Sequence, residues 1–269
     1  SYKLSMLGIF DYGVGGLSVV RELLRRKPNA SFLYLGDTAR TPYGNKSQET
    51  ICRYAEEDAK FLIGRGATAI VVACNTVSSV AMDHLRQTFP DRKFFDVITP
   101  AVQGLMKSQK RPLRTVAVIG TRATIRSGVY EKMIKDLDPT KHVLSVACPL
   151  FVPLVEEQWG VRPETKRIAR TYLQPLRQKQ VDALILGCTH YPFLMDAIRS
   201  SLQRRVKIID SPSCVLDDLL STSPEMLQET EHPEQSFFFT DITEHQTSLV
   251  HRWIGQRANI QKADLEKTK

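Results

Sequence analysis

Eight short runs of almost unbroken apolar residues set the fold class of this 269-residue chain. They are Leu7–Phe10, Phe32–Leu35, Ala69–Ala73, Phe94–Ile98, Thr115–Ile119, Val143–Ala147, Ala183–Leu186 and Val206–Ile209. A strand with one wet face alternates apolar and polar residues; a strand without alternation is buried on both faces, as in parallel sheets. Amphipathic stretches separate the runs. Ser47 opens one, Glu49 falls in its first turn, and Ile51, Tyr54, Ala55, Ala59 and Leu62 recur at helical spacing until Gly64 and Gly66 stop it. Thr99-Pro100 opens another, with proline at a first-turn position. Strand and helix in alternation predict an α/β protein.

The chain also echoes itself. Residues 69–76 read AIVVACNT and residues 183–190 read ALILGCTH: an apolar strand, a small residue, a cysteine, then two polar groups. A weaker echo relates LGIF before Asp11-Tyr12-Gly13 to VAVI before Gly120-Thr121-Arg122. Cys74 and Cys188 are 114 residues apart, the span of one α/β domain. Two similar domains with parallel-type sheets are therefore expected, with a site between them, because open α/β sheets place ligands at the C-terminal ends of their strands. The first would hold residues 1–98 and the second 99–210. The tail, 211–269, contains one further expected strand, Phe237–Thr240, and a helix near 244–255. It is too short for a core of its own and is expected to return to the first domain.

Composition narrows the function classes. With 42% hydrophobic and 25% charged residues the chain is an ordinary folded protein. No apolar run reaches the ~18–20 residues of a membrane span, and SYKLSMLGIFDYG shows no secretory pattern. Five cysteines, an odd number with no CxxC pair, argue against a disulfide framework or a zinc knot and for a reducing cytoplasm. The net charge of +8 would suit nucleic acid, but RELLRRK at 21–27, KSQKRPLR at 107–114 and RRVK at 204–207 are scattered clusters that read as solvated helix ends. The sequence is compatible with a homodimer. The loop Gly13-Val14-Gly15-Gly16 misses the dinucleotide spacing and reads as a backbone-amide cradle for a carboxylate.

A single cysteine ending a buried strand is ordinary core packing; two in matching contexts, each followed by hydrogen-bonding residues, are not. His190 lies two residues beyond Cys188 and would share its face if the chain stays extended. An imidazole there could take the thiol's proton or steady its thiolate. A metal pair is a weaker option, for lack of third and fourth ligands. Nucleophilic catalysis needs one cysteine, and redox exchange needs two able to bond. Moving a proton at a stereocentre needs a base on one face and an acid on the other, which two opposed thiols supply. Asn75, Thr76, Thr189 and the Gly13–Gly16 loop could support the carbanion's carboxylate.

The segments FDYGVGGLSVVRE, GDTARTPYGNKS, ACNTVS, CPLFVPLVEE and GCTHYPFL resemble, in order and spacing, those of the cofactor-independent aspartate/glutamate racemases, the glutamate racemases above all. The resemblance covers about residues 7–210. It implies two domains with the substrate, glutamate, between them, no cofactor and no metal. It also implies a cytoplasmic enzyme that supplies D-glutamate for cell-wall peptidoglycan. By resemblance, Cys74 and Cys188 are the acid/base thiols, Asp11 and His190 tune them, and Glu156 assists on the Cys188 side. Asp11, Tyr12, Tyr43, Gly44, Asn75, Thr76, Thr121, Thr189 and His190 would contact the amino acid, while Asp37 and Arg40 order a loop. One position departs: the family pattern after the first strand resembles Asp-Ser-Gly, where this chain has Asp11-Tyr12-Gly13. The remaining readings are a racemase of another amino acid, such as aspartate, and a weakly active relative kept for binding protein or nucleic acid.

Overall fold

The structure, a computed structural model, describes residues 5–107, 113–203 and 205–266, without the side chain of Asn45. Residues 108–112 and 204, in two of the basic clusters, lie outside them. Among the described residues ten strands form two sheets, and every strand pairing within them is parallel. The first sheet contains β1 (Leu7–Asp11), β2 (Phe32–Gly36), β3 (Ala69–Val72), β4 (Lys93–Asp96), β9 (Gln235–Phe239) and β10 (Asn259–Lys262), in the order β10-β9-β2-β1-β3-β4. The second contains β5 (Thr115–Gly120), β6 (His142–Ala147), β7 (Ala183–Gly187) and β8 (Lys207–Asp210), in the order β6-β5-β7-β8.

Within each sheet the arrangement is the same. β2-β1-β3-β4 and β6-β5-β7-β8 place the first strand centrally, the second on one side, and the third and fourth on the other. The echo in the sequence is thus an echo in topology, with β1 matching β5 and β3 matching β7. The central strands are buried along their whole length, as unbroken apolar runs require. β6 is not: it is an edge strand, half exposed, although Val143–Ala147 reads as apolar. β4 ends at Asp96, two residues before the end of its apolar run. The Asp96 carboxylate accepts the amides of Ile98 and Thr99, at 2.8 and 2.7 Å, and so starts the helix Thr99–Lys107 instead.

Ser47 caps the helix Gln48–Gly64 as its position suggests, accepting the Thr50 amide at 3.2 Å. Gly66 closes that helix with φ +101°, a conformation only glycine adopts cheaply. The tail does return to the first sheet. It contributes two strands, not one: β9 beside β2, and β10 at the edge, where the polar run NIQK left no apolar signal. Phe237 on β9 meets Phe32 edge-to-face, at 5.4 Å between ring centroids, and also contacts Tyr34. Phe237→Ala is expected to destabilise the protein by about 3–5 kcal/mol. Urea unfolding checks this; a cost below about 1 kcal/mol would mean that the tail strand is not part of the first core.

Candidate active site

In a parallel sheet the chain leaves its strands at one edge, and where the strand order reverses the loops part and leave a crevice. Each sheet here has one such point. Asp11 ends β1 and Cys74 lies just past β3; Thr121 lies just past β5 and Cys188 just past β7. The two edges meet. Thr76 Oγ1 lies 3.4 Å from Thr121 Oγ1, and the Tyr130 hydroxyl donates to Asn75 Oδ1 at 2.6 Å. A Cβ added to Gly15 would lie 2.3 Å from His190 Nδ1, so the first loop approaches the second domain as only glycine allows. Cys74 is 1% exposed and Cys188 4%, so both thiols lie in a closed seam.

The surroundings of the two sulfurs differ. Cys74 Sγ accepts the Val77 amide at 3.4 Å as the cap of the short helix Asn75–Ser78. Burial pushes this thiol well above its ordinary range, and the Asp11 carboxylate beside it pushes further. Asp11 is itself raised by burial, against the pull of His190 and of the Gly16 amide, which donates to Asp11 Oδ2 at 2.8 Å. On the other side Cys188 Sγ lies 3.8 Å from His190 Nδ1, and His190 Nε2 lies 3.1 Å from Glu156 Oε1. Burial opposes a charge on His190, but the Cys188 sulfur and the Glu156 carboxylate outweigh it and hold the imidazole up at about 10. Glu156, despite partial burial, is held below the ordinary carboxylate range by His190. Its backbone carbonyl accepts from His245 of the tail helix at 2.8 Å. One thiol thus faces a carboxyl group and the other an imidazolium.

Two buried polar atoms of the seam have no hydrogen-bond partner among the described residues: Asp11 Oδ1, an acceptor, and Asn75 Nδ2, a donor. Such orphans cost ~1–3 kcal/mol each unless something binds them. An α-amino acid offers the complements, an ammonium for the first and a carboxylate for the second. Thr76, Thr121 and Thr189 line the same seam.

The Gly13–Gly16 loop, expected to cradle a carboxylate with its amides, spends one of them inside the fold. Gly16 N–H goes to Asp11, and the amides of Leu17, Ser18 and Val19 close on the carbonyls of Val14, Gly15 and Gly16. What the loop supplies is the close approach at Gly15. Tyr43 is buried with its hydroxyl on Asp37 and Asp58, and Arg40 binds Asp37, Glu57 and Asp58. This cluster anchors the Tyr43 ring, which stacks beneath Tyr12 at 5.4 Å. Gly44 stands near the second domain, 3.9 Å from the Ala123 methyl at the position of its missing Cβ. Sequence reasoning missed Tyr130 and Asp58. The first is one tyrosine on an amphipathic helix, and the second is a carboxylate on a core-facing helical stripe; only the three-dimensional partners reveal them. Among the described residues no group of three or more His, Cys, Asp or Glu could hold a metal, and no helix is long and apolar enough to cross a membrane.

Comparison with known proteins agrees with this geometry. The family described as Asp/Glu/Hydantoin racemase matches residues 18–219. The chain belongs to this racemase family. A glutamate racemase of Persephonella marina is 43% identical over 262 residues, covering 97% of this chain and 98% of that one. One of Geobacter metallireducens is 39% identical over 267 residues, covering 98% of each. The crystal structure of glutamate racemase from Francisella tularensis in complex with D-glutamate superposes with a TM-score of 0.87 at 36% identity, over 98% of this chain and 99% of that one. Family membership makes this chain an isomerase, with the two-sheet architecture of those structures.

The charge on His190 is testable. Its pKa in the fold, about 10, lies above the ~6.5 of an unfolded histidine. The stability it contributes is therefore complete below pH ~6.5 and is lost as pH rises through 10. NMR of histidine-labelled protein should find His190 protonated at pH 8, with its titration moved to lower pH in Glu156→Gln. A parent His190 that titrates near 6.5 would contradict the assigned ion pair.

Proposed function

We propose that this chain interconverts L- and D-glutamate, with Cys74 and Cys188 as the two acid/base groups, and thereby supplies D-glutamate for peptidoglycan. The observation that carries the reading is the pair of buried thiols at matching switch points, next to an orphaned acceptor and an orphaned donor suited to an amino acid. The kinship with glutamate racemases supplies the substrate. On this reading the domains are 1–98 with 211–269, carrying Cys74, and 99–210, carrying Cys188. The compartment is the cytoplasm, in keeping with five free cysteines.

One cysteine, as thiolate, takes the α-proton and becomes a thiol. The electron pair left on the α-carbon is drawn toward the carboxylate, where Asn75, Thr76 and Thr189 donate hydrogen bonds. The opposite cysteine, as thiol, delivers its proton to the other face and becomes the thiolate. The configuration is inverted, and the two sulfurs have exchanged states. The reverse reaction starts from that exchanged state. Asp11 receives the substrate ammonium. His190, charged and fixed by Glu156, balances negative charge on the Cys188 side, and Thr121 and Tyr130 hold the Thr76–Asn75 segment. The chemistry asks nothing of a cofactor, since both proton carriers are side chains of the chain.

Circular dichroism of D- and L-glutamate with purified protein tests this. Cys74→Ser and Cys188→Ser are each expected to lower kcat by about 10²–10⁴-fold, the usual worth of a positioned proton carrier. Cys52→Ser and Cys214→Ser should keep parent activity, and exhaustive chelation should leave it unchanged. Full turnover in either site variant would defeat the two-thiol reading. Turnover of aspartate but not glutamate would reassign the substrate.

A further inference from the structure

The position that departs from the family pattern lies in the seam. Tyr12 is 6% exposed. Its ring stacks on Tyr43 at 5.4 Å and 25°, and on His190 at 6.3 Å and 29°. His190 contacts Cys188, while the residue before Tyr12, Asp11, adjoins Cys74. The ring therefore bridges the domains where both thiols are shut from solvent. We propose that Tyr12 is a gate on the substrate space: with no amino acid bound its ring closes the way to Cys74 and Cys188, and a substrate enters only when the ring swings out.

Three observations single out Tyr12 as the part that moves. First, its two stacking partners are anchored. The Tyr43 hydroxyl is held by Asp37 and Asp58, and the His190 ring by Glu156. Second, the Tyr12 hydroxyl makes no hydrogen bond among the described residues, so stacking and apolar packing hold the ring, with no polar tether. Third, the ring follows β1 directly and precedes Gly13, where an added Cβ would meet nothing within 4 Å. Burial raises the Tyr12 phenol well above its ordinary range, and Cys188, Cys74, Asp11 and Glu156 add to this, so it stays neutral while it covers the thiols.

A gate of this kind taxes affinity. The apparent affinity falls by the fraction of molecules whose ring is out. If about one molecule in ten is open, removing the ring improves apparent affinity about tenfold. A serine hydroxyl in its place would also be free to bond the substrate. The kinetic part of this inference rests on the two-thiol racemase reading; the accessibility part does not.

Two measurements on the full chain test it. Ligand-free protein is alkylated with iodoacetamide and each cysteine is followed by peptide mass spectrometry. Glutamate KM is then measured on the same preparations. In Tyr12→Ser, Cys74 and Cys188 are expected to label about tenfold faster than in the parent, with Cys148, fully buried beside Cys188, unchanged. KM should fall about tenfold, more than kcat changes. Tyr12→Phe keeps the ring, and its Cys74 and Cys188 should label at the parent rate. Unchanged labelling of Cys74 and Cys188 in Tyr12→Ser overturns the gate, as does an unchanged KM. Labelling that rises equally at all five cysteines overturns it too, since that is general loosening. The expected labelling in a protein that racemises nothing upholds the gate and refutes the racemase.

Discussion

The order of strands in a parallel sheet decides where this molecule can hold a ligand. Each sheet reverses direction between its central strand and the strand that follows in the other direction, and the crevice opens only there. β1 and β3 deliver Asp11 and Cys74 to that point; β5 and β7 deliver Thr121 and Cys188. Everything else in the seam is placed by the meeting of these two edges. Gly15 permits it, Tyr130 ties it at Asn75, and the tail reinforces it through His245 on the Glu156 carbonyl. A chain that repeats one topology twice presents the same residue type from two directions, which is the arrangement that inversion at a carbon atom requires.

The repetition stops at the electrostatics. Cys74 lies beside the buried Asp11 carboxyl group, and burial raises both groups. Cys188 lies with an imidazolium backed by a carboxylate. Burial beside a carboxyl group favours the thiol of Cys74. The two proposed proton carriers therefore sit in unlike surroundings, one beside a carboxyl group and one beside an imidazole backed by a carboxylate.

Much of the fold was legible in the sequence, because buried parallel strands declare themselves by unbroken apolar runs and nine of ten were expected on that ground. The two weaker outcomes have physical causes. β10 is held by its ladder to β9 and by little apolar burial, so NIQK carries no periodic signal. β6 is apolar but lies at an edge, and edge position is a property of topology, not of composition. At the site, the cysteines and the residues after them were visible as an echo, and the placement of Asp11, Glu156 and Tyr43 came only with the family resemblance. Tyr130 and the part of Asp58 in supporting Tyr43 were invisible, since their meaning lies in contacts between distant segments.

The central claim is that two different groups handle the proton on the two faces of the α-carbon. It is tested most directly by starting with protiated L- or D-glutamate in D2O and measuring α-deuterium in both enantiomers during the first few per cent of conversion. The delivering thiol carries solvent hydrogen, so the account predicts a product with one α-deuterium and recovered substrate with almost none, in both directions. Product that keeps its original α-proton, or deuterium that enters substrate as fast as product, would mean that a single group does both transfers, and the two-thiol account would be wrong.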